Sequence, residues 1–236
     1  GIVAFFAAIV IIGGIKRIGR IASMLVPFMS LLFIAMAFVI IGKNHTAIPE
    51  TFRLIFTSAF SSKAVAGGVG GFAFSQIIKK GLARGVFSNE AGLGSSVIAH
   101  SASETREPVK QGLWGIFEVF FDTFVICTLT ALVILTTNIG SGAYENGSFF
   151  GTTNAAGDFV GASDSATALG AFSSNLGTFG TVTFLIILPL FAFTTVLAWS
   201  YYGEKAVDFC FHHMPEKKRK IPVMIFKILF ILLIVF

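Results

Sequence analysis

Long apolar runs separated by short polar segments dominate this chain from its first residue to its last. A helix needs about 20 apolar residues to cross the hydrocarbon of a bilayer, and most of the runs approach that length. Because only helices and closed barrels satisfy every backbone polar group in lipid, runs of this kind predict an all-α polytopic membrane protein. The predicted spans cover residues 1–14, 22–42, 65–103, 112–137, 178–202 and 221–236.

Both ends of the chain lie inside apolar runs. The first run covers only residues 1–14, and the last begins at Ile221 and continues to the final residue. Neither run has the full length of a membrane crossing. We therefore expect residues 1–236 to be a single transmembrane domain that is a fragment of a longer protein.

The third run, residues 65–103, does not have the pattern of one regular helix. Within it, residues 84–96 read RGVFSNEAGLGSS, so glycines and consecutive polar side chains interrupt the apolar pattern. Glycine disfavours the helix, and we expect the backbone to unwind near residues 88–94. Irregular backbone at membrane depth is tolerated where it is buried in protein or faces water, and in secondary transporters such breaks hold the substrate. A re-entrant loop, or glycines that allow close helix packing, is the alternative interpretation.

Composition and charge support a membrane protein and indicate its orientation. The chain is 55% hydrophobic and 12% charged, with a mean hydropathy of +0.85, whereas soluble domains are about 25% charged. The net charge of +5 is a topology signal here, and we expect no nucleic-acid partner. The basic residues that mark the cytoplasmic side are Lys16, Arg17, Arg20, Arg106, Lys110, Lys205, Lys217, Lys218, Arg219 and Lys220. Residues 138–177 contain no basic residue and are predicted to form an extracytoplasmic loop, and residues 48–60 an amphipathic surface helix.

Two carboxylates interrupt the apolar run at 112–137. Glu118 and Asp122 are one helical turn apart and therefore share a face. Intramembrane carboxylates suggest function, but these two could equally pair with a basic residue of a neighbouring helix, and both interpretations stay open. The chain lacks the HExxH and GxSxG patterns of hydrolases, so we expect neither an enzyme nor a cofactor.

A second group of candidate residues lies in the run at 178–202. Thr194 and Thr195 offer two hydroxyl oxygens, which suit a hard cation such as sodium, although such a pair often bonds back to its own helix. Phe87 beside the break and Trp199 could close over a small side chain, although membrane aromatics often only pack. Sequence alone does not bring these residues together.

Two stretches resemble signature motifs of the alanine or glycine:cation symporter family: GLARGVFSNEAGLGSSVIAHSASETREPVKQGLWGIFEVFFDTFVICTLTALVIL and FAFTTVLAWSYYGEKAVDF. The resemblance implies a leucine-transporter-like fold of two inverted five-helix repeats with discontinuous helices. This chain would then cover core helices four to nine. The runs at 22–42, 65–103, 112–137 and 178–202 would be core helices five to eight.

The resemblance also implies a binding site. Four residues near the break and three on core helix eight would line the amino acid pocket: Phe87, Ser88, Asn89, Gly92, Thr195, Trp199 and Tyr201. Thr194 and Thr195 would bind sodium. Val97 stands where the family often has proline, and the first broken helix of the fold is absent.

The implied function is sodium-coupled symport of small neutral amino acids into the cytoplasm across a prokaryotic plasma membrane. The substrates would be alanine, glycine or D-alanine, with sodium as co-substrate and the lipid bilayer as surroundings. An ion channel is one alternative, because a glycine-rich re-entrant segment could form a filter. A proton-coupled carrier of another small solute is the other.

Overall fold

The computed structural model describes residues 2–59, 79, 81–83, 85–90, 92–141, 151–153, 159–161 and 164–235. The helices are α1 Ile2–Ile12, α2 Ile15–Lys43, α3 Ile48–Ala59, α4 Ser95–His100, α5 Pro108–Gly140, α6 Asp164–Cys210 and α7 Glu216–Val235. Helix α5 is π-helical over Phe121–Cys127 and α-helical on either side. A short ribbon pairs β1 (Gly151–Thr153) with β2 (Phe159–Gly161) in antiparallel register.

Three helical segments among the described residues are long and apolar enough to cross a membrane, namely Arg17–Lys43, Pro108–Gly140 and Ser165–Cys210. Large apolar side chains are exposed along them, for example Leu31, Phe38 and Leu185. Such exposure suits contact with lipid, and the chain is a multi-pass, mainly helical membrane protein. Its last predicted span, residues 221–236, lies mostly within α7.

Helix α6 is too long for a single straight crossing. It has 47 residues, whereas about 20 suffice. Gly177 divides it, because its φ of 59° and ψ of −142° are not helical. The segment after Gly177 therefore contains the span predicted over residues 178–202.

The described chain separates into two compact units. The first comprises Gly1–Leu31, Leu93–Gly115 and Ile186–Phe236, and the second comprises Leu32–Gly92 and Ile116–Leu185. In the first unit, Ala7 and Ile11 of α1 form a buried core with Leu197 of α6. Residues four apart share a helix face, which is why these apolar positions can pack together.

Helices α6 and α7 of the first unit approach closely and carry two ion pairs. Glu204 accepts a salt bridge from Lys227 at 3.0 Å, and Lys227 is only 8% exposed. Asp208 pairs with Arg219 at 2.8 Å. Gly203 permits this approach, since a Cβ there would collide with the ring of Phe226.

The second unit has an aromatic core and a polar junction. The ring of Phe172 lies 5.6 Å from that of Phe33 and 4.9 Å from that of Phe184. Nearby, the amide of Asn175 accepts a hydrogen bond from Asn44 Nδ2 at 2.6 Å and donates to Thr137 Oγ1 at 2.8 Å. These bonds tie α2, α5 and the start of α6 together.

The prediction of a continuous loop over residues 138–177 is wrong in part. Helix α5 continues to Gly140, the β-ribbon follows, and α6 begins at Asp164. Its first turns bury Ala168, Ala171 and Phe172, which have helical spacing and pack into the second unit. The many small polar residues around them concealed this pattern.

One predicted boundary also differs. Helix α2 begins at Ile15 and not at residue 22, so Arg17 and Arg20 lie on its first turns. Gly14, with a φ of 75°, separates it from α1. Long basic side chains are good helix formers, which explains why the basic segment is helical.

The predicted surface helix over residues 48–60 forms as α3, which covers Ile48–Ala59. Arg53 donates hydrogen bonds to the carboxylate of Glu50 at 2.7 and 2.5 Å. This hydrogen bonding lowers the pKa of the exposed Glu50 from its ordinary value. A charged pair of this kind fits the water-facing side of an amphipathic helix.

Candidate functional site

The backbone leaves the helical conformation within the range that the glycines predict. Residues 85–88 are helical, a turn follows at Asn89, and α4 begins at Ser95. Gly92 and Gly94 have φ angles of 76° and 73°, and Glu90 also has a positive φ of 50°. Glycine accepts this left-handed conformation at little cost, whereas a glutamate does so rarely. The part of the predicted span at residues 65–78 lies outside the described residues.

The helix after the break is shorter than the sequence predicts. Helix α4 ends at His100, whereas the predicted span continues to residue 103. Ser101 Oγ donates to the carbonyl of Ile98, and Ser103 Oγ bonds with Gln111. Serine side chains that bond locally compete with helix continuation, so the chain turns here. Gln111 also bonds with His100 Nδ1 at 2.8 Å and so ties α4 to the start of α5.

Two hydrogen bonds join the break to the π-helical part of α5. Ser88 Oγ donates to Asp122 Oδ2 at 2.6 Å, and Thr123 Oγ1 donates to Asn89 Oδ1 at 3.0 Å. Single π-helical turns inside α-helices occur frequently at functional sites. The hydrogen-bond partner of Asp122 in the second unit is thus the hydroxyl of Ser88 and not a basic side chain.

The remaining predicted residues near the break are Phe87, Asn89 and Gly92. Phe87 is 65% exposed, and a Cβ at Gly92 would have free space among the described residues. Asn89 Nδ2 donates to the carbonyl of Gly85 and so caps the helical turn before the break.

Thr194 and Thr195 bond to the same backbone oxygen. Their Oγ1 atoms donate to the carbonyl of Phe191 at 2.9 and 3.0 Å. Such back-bonding within one helix is the alternative that the sequence leaves open for a threonine pair. A hydroxyl that donates one hydrogen bond keeps its oxygen lone pairs, so the proposed sodium ligands stay a prediction.

The two aromatic residues predicted on α6 have different surroundings. Trp199 is 39% exposed, and its ring lies edge-on to Tyr202 with 6.1 Å between centroids. Tyr201 is only 4% exposed and belongs to the core of the first unit. Lys205 Nζ lies 5.6 Å from the centroid of the Tyr201 ring.

A cavity of about 870 Å³ opens in the first unit beside Tyr201. It is lined by Ile18, Gly19, Arg20, Ala99, Ser101, Ala102, Ser103, Glu104, Ala198, Tyr201, Tyr202 and Lys205. Arg20, Glu104 and Lys205 give it charges of both signs, which suits water and zwitterions. The charge pattern of the chain predicts that these residues face the cytoplasm.

The predicted pocket residues are divided between the two units. Phe87, Ser88, Asn89 and Gly92 belong to the second unit, and Thr194, Thr195, Trp199 and Tyr201 belong to the first. Their arrangement into one amino acid pocket stays a prediction.

Two polar positions were not predicted from the sequence. Thr123 contacts the break although it lies in an apolar run, and threonines in such runs give no distinct signal. Lys227 pairs with Glu204, and a lysine within the last apolar run was the available signal.

Comparison with known proteins gives one family for the whole chain. A sequence model of the sodium:alanine symporter family matches residues 1–236. The chain is 39% identical over 231 residues to the sodium/alanine symporter AgcS of Methanococcus maripaludis, with 98% of this chain and 45% of that protein covered.

Two relatives from Bacillus subtilis have other names. A probable sodium/glutamine symporter, GlnT, is 36% identical over 235 residues, covering 100% of this chain and 43% of the relative. A putative sodium/proton-dependent alanine carrier is 38% identical over 200 residues, covering 85% and 40%. The chain therefore spans less than half the length of each of these relatives.

Proposed function

Because the chain belongs to the sodium:alanine symporter family, we propose that the full-length protein imports small neutral amino acids together with sodium. The observation that carries this proposal is the interrupted helix at residues 89–94. In secondary transporters, such breaks expose backbone groups that hold the substrate and its coupling ion. The leucine-transporter-like fold of inverted repeats is part of the same proposal.

The proposed substrate is alanine or glycine, with D-alanine included. Phe87, Ser88, Asn89 and Gly92 would contact it from the break, and Thr195, Trp199 and Tyr201 from α6. Gly92 leaves room for a ligand close to the backbone, since glycine has no side chain there. Aromatic walls would restrict the pocket to small side chains.

Sodium would be a transported co-substrate and not a resident cofactor. Hydroxyl oxygens are hard ligands, and Thr194 and Thr195 lie side by side on α6 with oxygen lone pairs left for a cation. Cation binding would favour the state that accepts the amino acid, which is how the two fluxes are coupled.

We place the protein in the prokaryotic plasma membrane with transport directed into the cytoplasm. The two Bacillus subtilis relatives and the archaeal relative are prokaryotic proteins. Basic residues concentrate on one side of the predicted spans, which supports this orientation.

Proton coupling is the second candidate. One relative bears the name of a sodium/proton-dependent carrier. The carboxylate of Asp122 on α5, which accepts a hydrogen bond from Ser88, could take part in either coupling. A channel is distinguished from both, because it would conduct without accumulating an amino acid against its gradient.

The test is uptake of labelled alanine by the full-length protein in liposomes. An inward sodium gradient should drive accumulation above the outside concentration, and a sodium ionophore should abolish it. Accumulation that survives the ionophore but collapses with a protonophore would favour proton coupling. Flux that never exceeds equilibration would contradict symport.

A further inference from the structure

Helix α7 begins with a run of basic residues at the start of the last predicted span. Residues 216–220 read EKKRK, and the apolar residues of the span follow from Ile221. Successive residues of an α-helix are about 100° apart around its axis, so consecutive side chains point in different directions. The basic run is therefore divided between two faces of α7.

One face of α7 packs against α6 and uses its positive charges there. Arg219 Nε lies 2.8 Å from Asp208 Oδ1, and Lys227 Nζ lies 3.0 Å from Glu204 Oε2. Positions seven and eight apart share a helix face, and Phe226 on this side approaches α6 closely. The positive charges of the inner face are already compensated by carboxylates.

The opposite face carries two lysines that lack such partners. Lys217 and Lys218 are exposed, and neither side chain forms a salt bridge or hydrogen bond within the described part of the chain. Ile221 follows Lys217 by four residues and Lys218 by three, so the three share one face. Two uncompensated positive charges therefore lie at the end of this outer face.

An exposed apolar stripe continues from the two lysines along α7. Ile221, Ile225 and Ile228 are 61%, 53% and 52% exposed, and their spacing of four and three residues keeps them on one face. An anionic phospholipid has a negative headgroup followed by apolar chains. The outer face of α7 presents the complementary groups in the same order.

The connection between α6 and α7 adds apolar side chains at the lysine end. Phe209, near the end of α6, is 76% exposed, and Met214, just before α7, is 44% exposed. Apolar side chains beside basic ones are typical of segments at the headgroup level of a bilayer. This end of the α6–α7 pair is therefore suited to the membrane surface.

We propose that Lys217 and Lys218 bind the phosphate of an anionic phospholipid whose acyl chains lie along the stripe formed by Ile221, Ile225 and Ile228. Juxtamembrane clusters of lysine and arginine attract anionic lipids electrostatically. The stripe favours a lipid over inorganic phosphate, which has no apolar part.

The positive-inside rule does not replace this proposal. It explains why basic residues collect on one side of the membrane. It does not require that two lysines lie unpaired beside an exposed apolar stripe while the neighbouring Arg219 is paired with α6. The proposal is also independent of the transported substrate.

The test measures which lipid lies next to the stripe in the full-length protein. All native cysteines, including Cys127 and Cys210, are replaced by serine, and Ile225→Cys carries a fluorophore. Phosphatidylcholine vesicles contain nitroxide-labelled phosphatidylglycerol or nitroxide-labelled phosphatidylcholine at the same mole fraction. The relative association of phosphatidylglycerol, obtained from quenching, should be at least about fivefold higher, since one lysine near the surface contributes about that factor.

Lys217→Gln combined with Lys218→Gln should bring quenching by the two lipids close together, because it removes both charges and leaves the stripe. The matched control combines Lys110→Gln with Lys220→Gln and removes the same net charge. Lys110 pairs with Glu107 at 2.9 Å, and Lys220 lines a cavity between α6 and α7. The control should keep most of the preference, and an equal loss in both double variants would overturn the assignment.

Further outcomes separate the proposal from its alternatives. Lys217→Arg with Lys218→Arg keeps both charges and should keep the preference. If the double glutamine variant fails to fold, each single glutamine variant should lower the preference more than Lys220→Gln does. Absence of quenching by either lipid would show that another part of the protein covers the stripe, and equal quenching by both would show lipid contact without a headgroup site. Either result would refute the proposal, and neither depends on amino acid transport.

Discussion

Gly92 and Gly94 have a backbone conformation that other residues resist. Their φ angles of 76° and 73° lie in the left-handed region, where a Cβ approaches the following carbonyl oxygen. These two residues lie between the helical segment that ends at Ser88 and α4, which begins at Ser95. The glycines are also why the break could be predicted from sequence.

Gly92→Ala should destabilise the break. The left-handed conformation costs a non-glycine residue about 1–2 kcal/mol, so we expect a similar loss in free energy of unfolding and reduced alanine uptake. Gly81→Ala is the control, because Gly81 is helical with open space around it and alanine favours helices. Equal stability of Gly92→Ala and the wild type, measured by thermal unfolding in detergent, would count against a strained break.

The hydroxyl pair on α6 allows a second test at this scale. Thr194→Val and Thr195→Val should each raise the sodium concentration for half-maximal alanine uptake several-fold, because valine keeps the shape but has no oxygen ligand. Thr130→Val on α5 is the control, since its hydroxyl also bonds back to its own helix, at 2.7 Å from the carbonyl of Ile126. Unchanged sodium dependence in both α6 variants would remove these residues from the cation site.

Pairs of helices are joined by polar contacts that single residues do not reveal. In the first unit Glu204 of α6 pairs with Lys227 of α7, and in the second unit Asn175 joins α2 and α5. The members of these contacts are far apart in sequence. Their partners depend on how the helices pack, so composition alone could not predict them.

Breaking the Glu204–Lys227 pair should be costly. Lys227→Met leaves a carboxylate that is only 23% exposed without its partner, and removing one member of a buried pair typically costs about 3–5 kcal/mol. Adding Glu204→Gln should recover part of that loss. Lys110→Met is the control, because the Glu107–Lys110 pair is exposed and should contribute about 0–1 kcal/mol. Additive effects of the two α6–α7 substitutions in a double-mutant cycle would exclude the coupling.

Asn175→Ala should loosen the polar junction of the second unit. Its side chain accepts from Asn44 and donates to Thr137, and unpaired buried groups cost about 1–3 kcal/mol each. Ser174→Ala, which removes an exposed hydroxyl bonded only within its own helix, should change the unfolding free energy by at most about 0.5 kcal/mol. Hydrogen exchange in residues 164–176 reports the effect, and equal protection in both variants would contradict it.

At the scale of the whole molecule, the sequence predicts the spans and the interruption better than the contacts. Apolar length and glycine chemistry are local properties, so they are visible in the chain itself. The Ser88–Asp122 bond joins residues 34 positions apart, and only the folded arrangement brings them together. Tyr201 lies in the core of the first unit and also lines its cavity, so its place in the amino acid pocket stays a prediction.

The central claim is that the interrupted helix binds the amino acid, and thiol protection tests it most directly. In full-length protein with Cys127 and Cys210 replaced by serine, Leu93→Cys places a reactive group in the break, where Leu93 is 52% exposed. Leu113→Cys on α5, where Leu113 is 57% exposed, is the control. With sodium present, alanine should slow maleimide labelling at position 93 and leave position 113 unchanged. Equal labelling rates at position 93 with and without alanine, in protein that still transports it, would contradict the account.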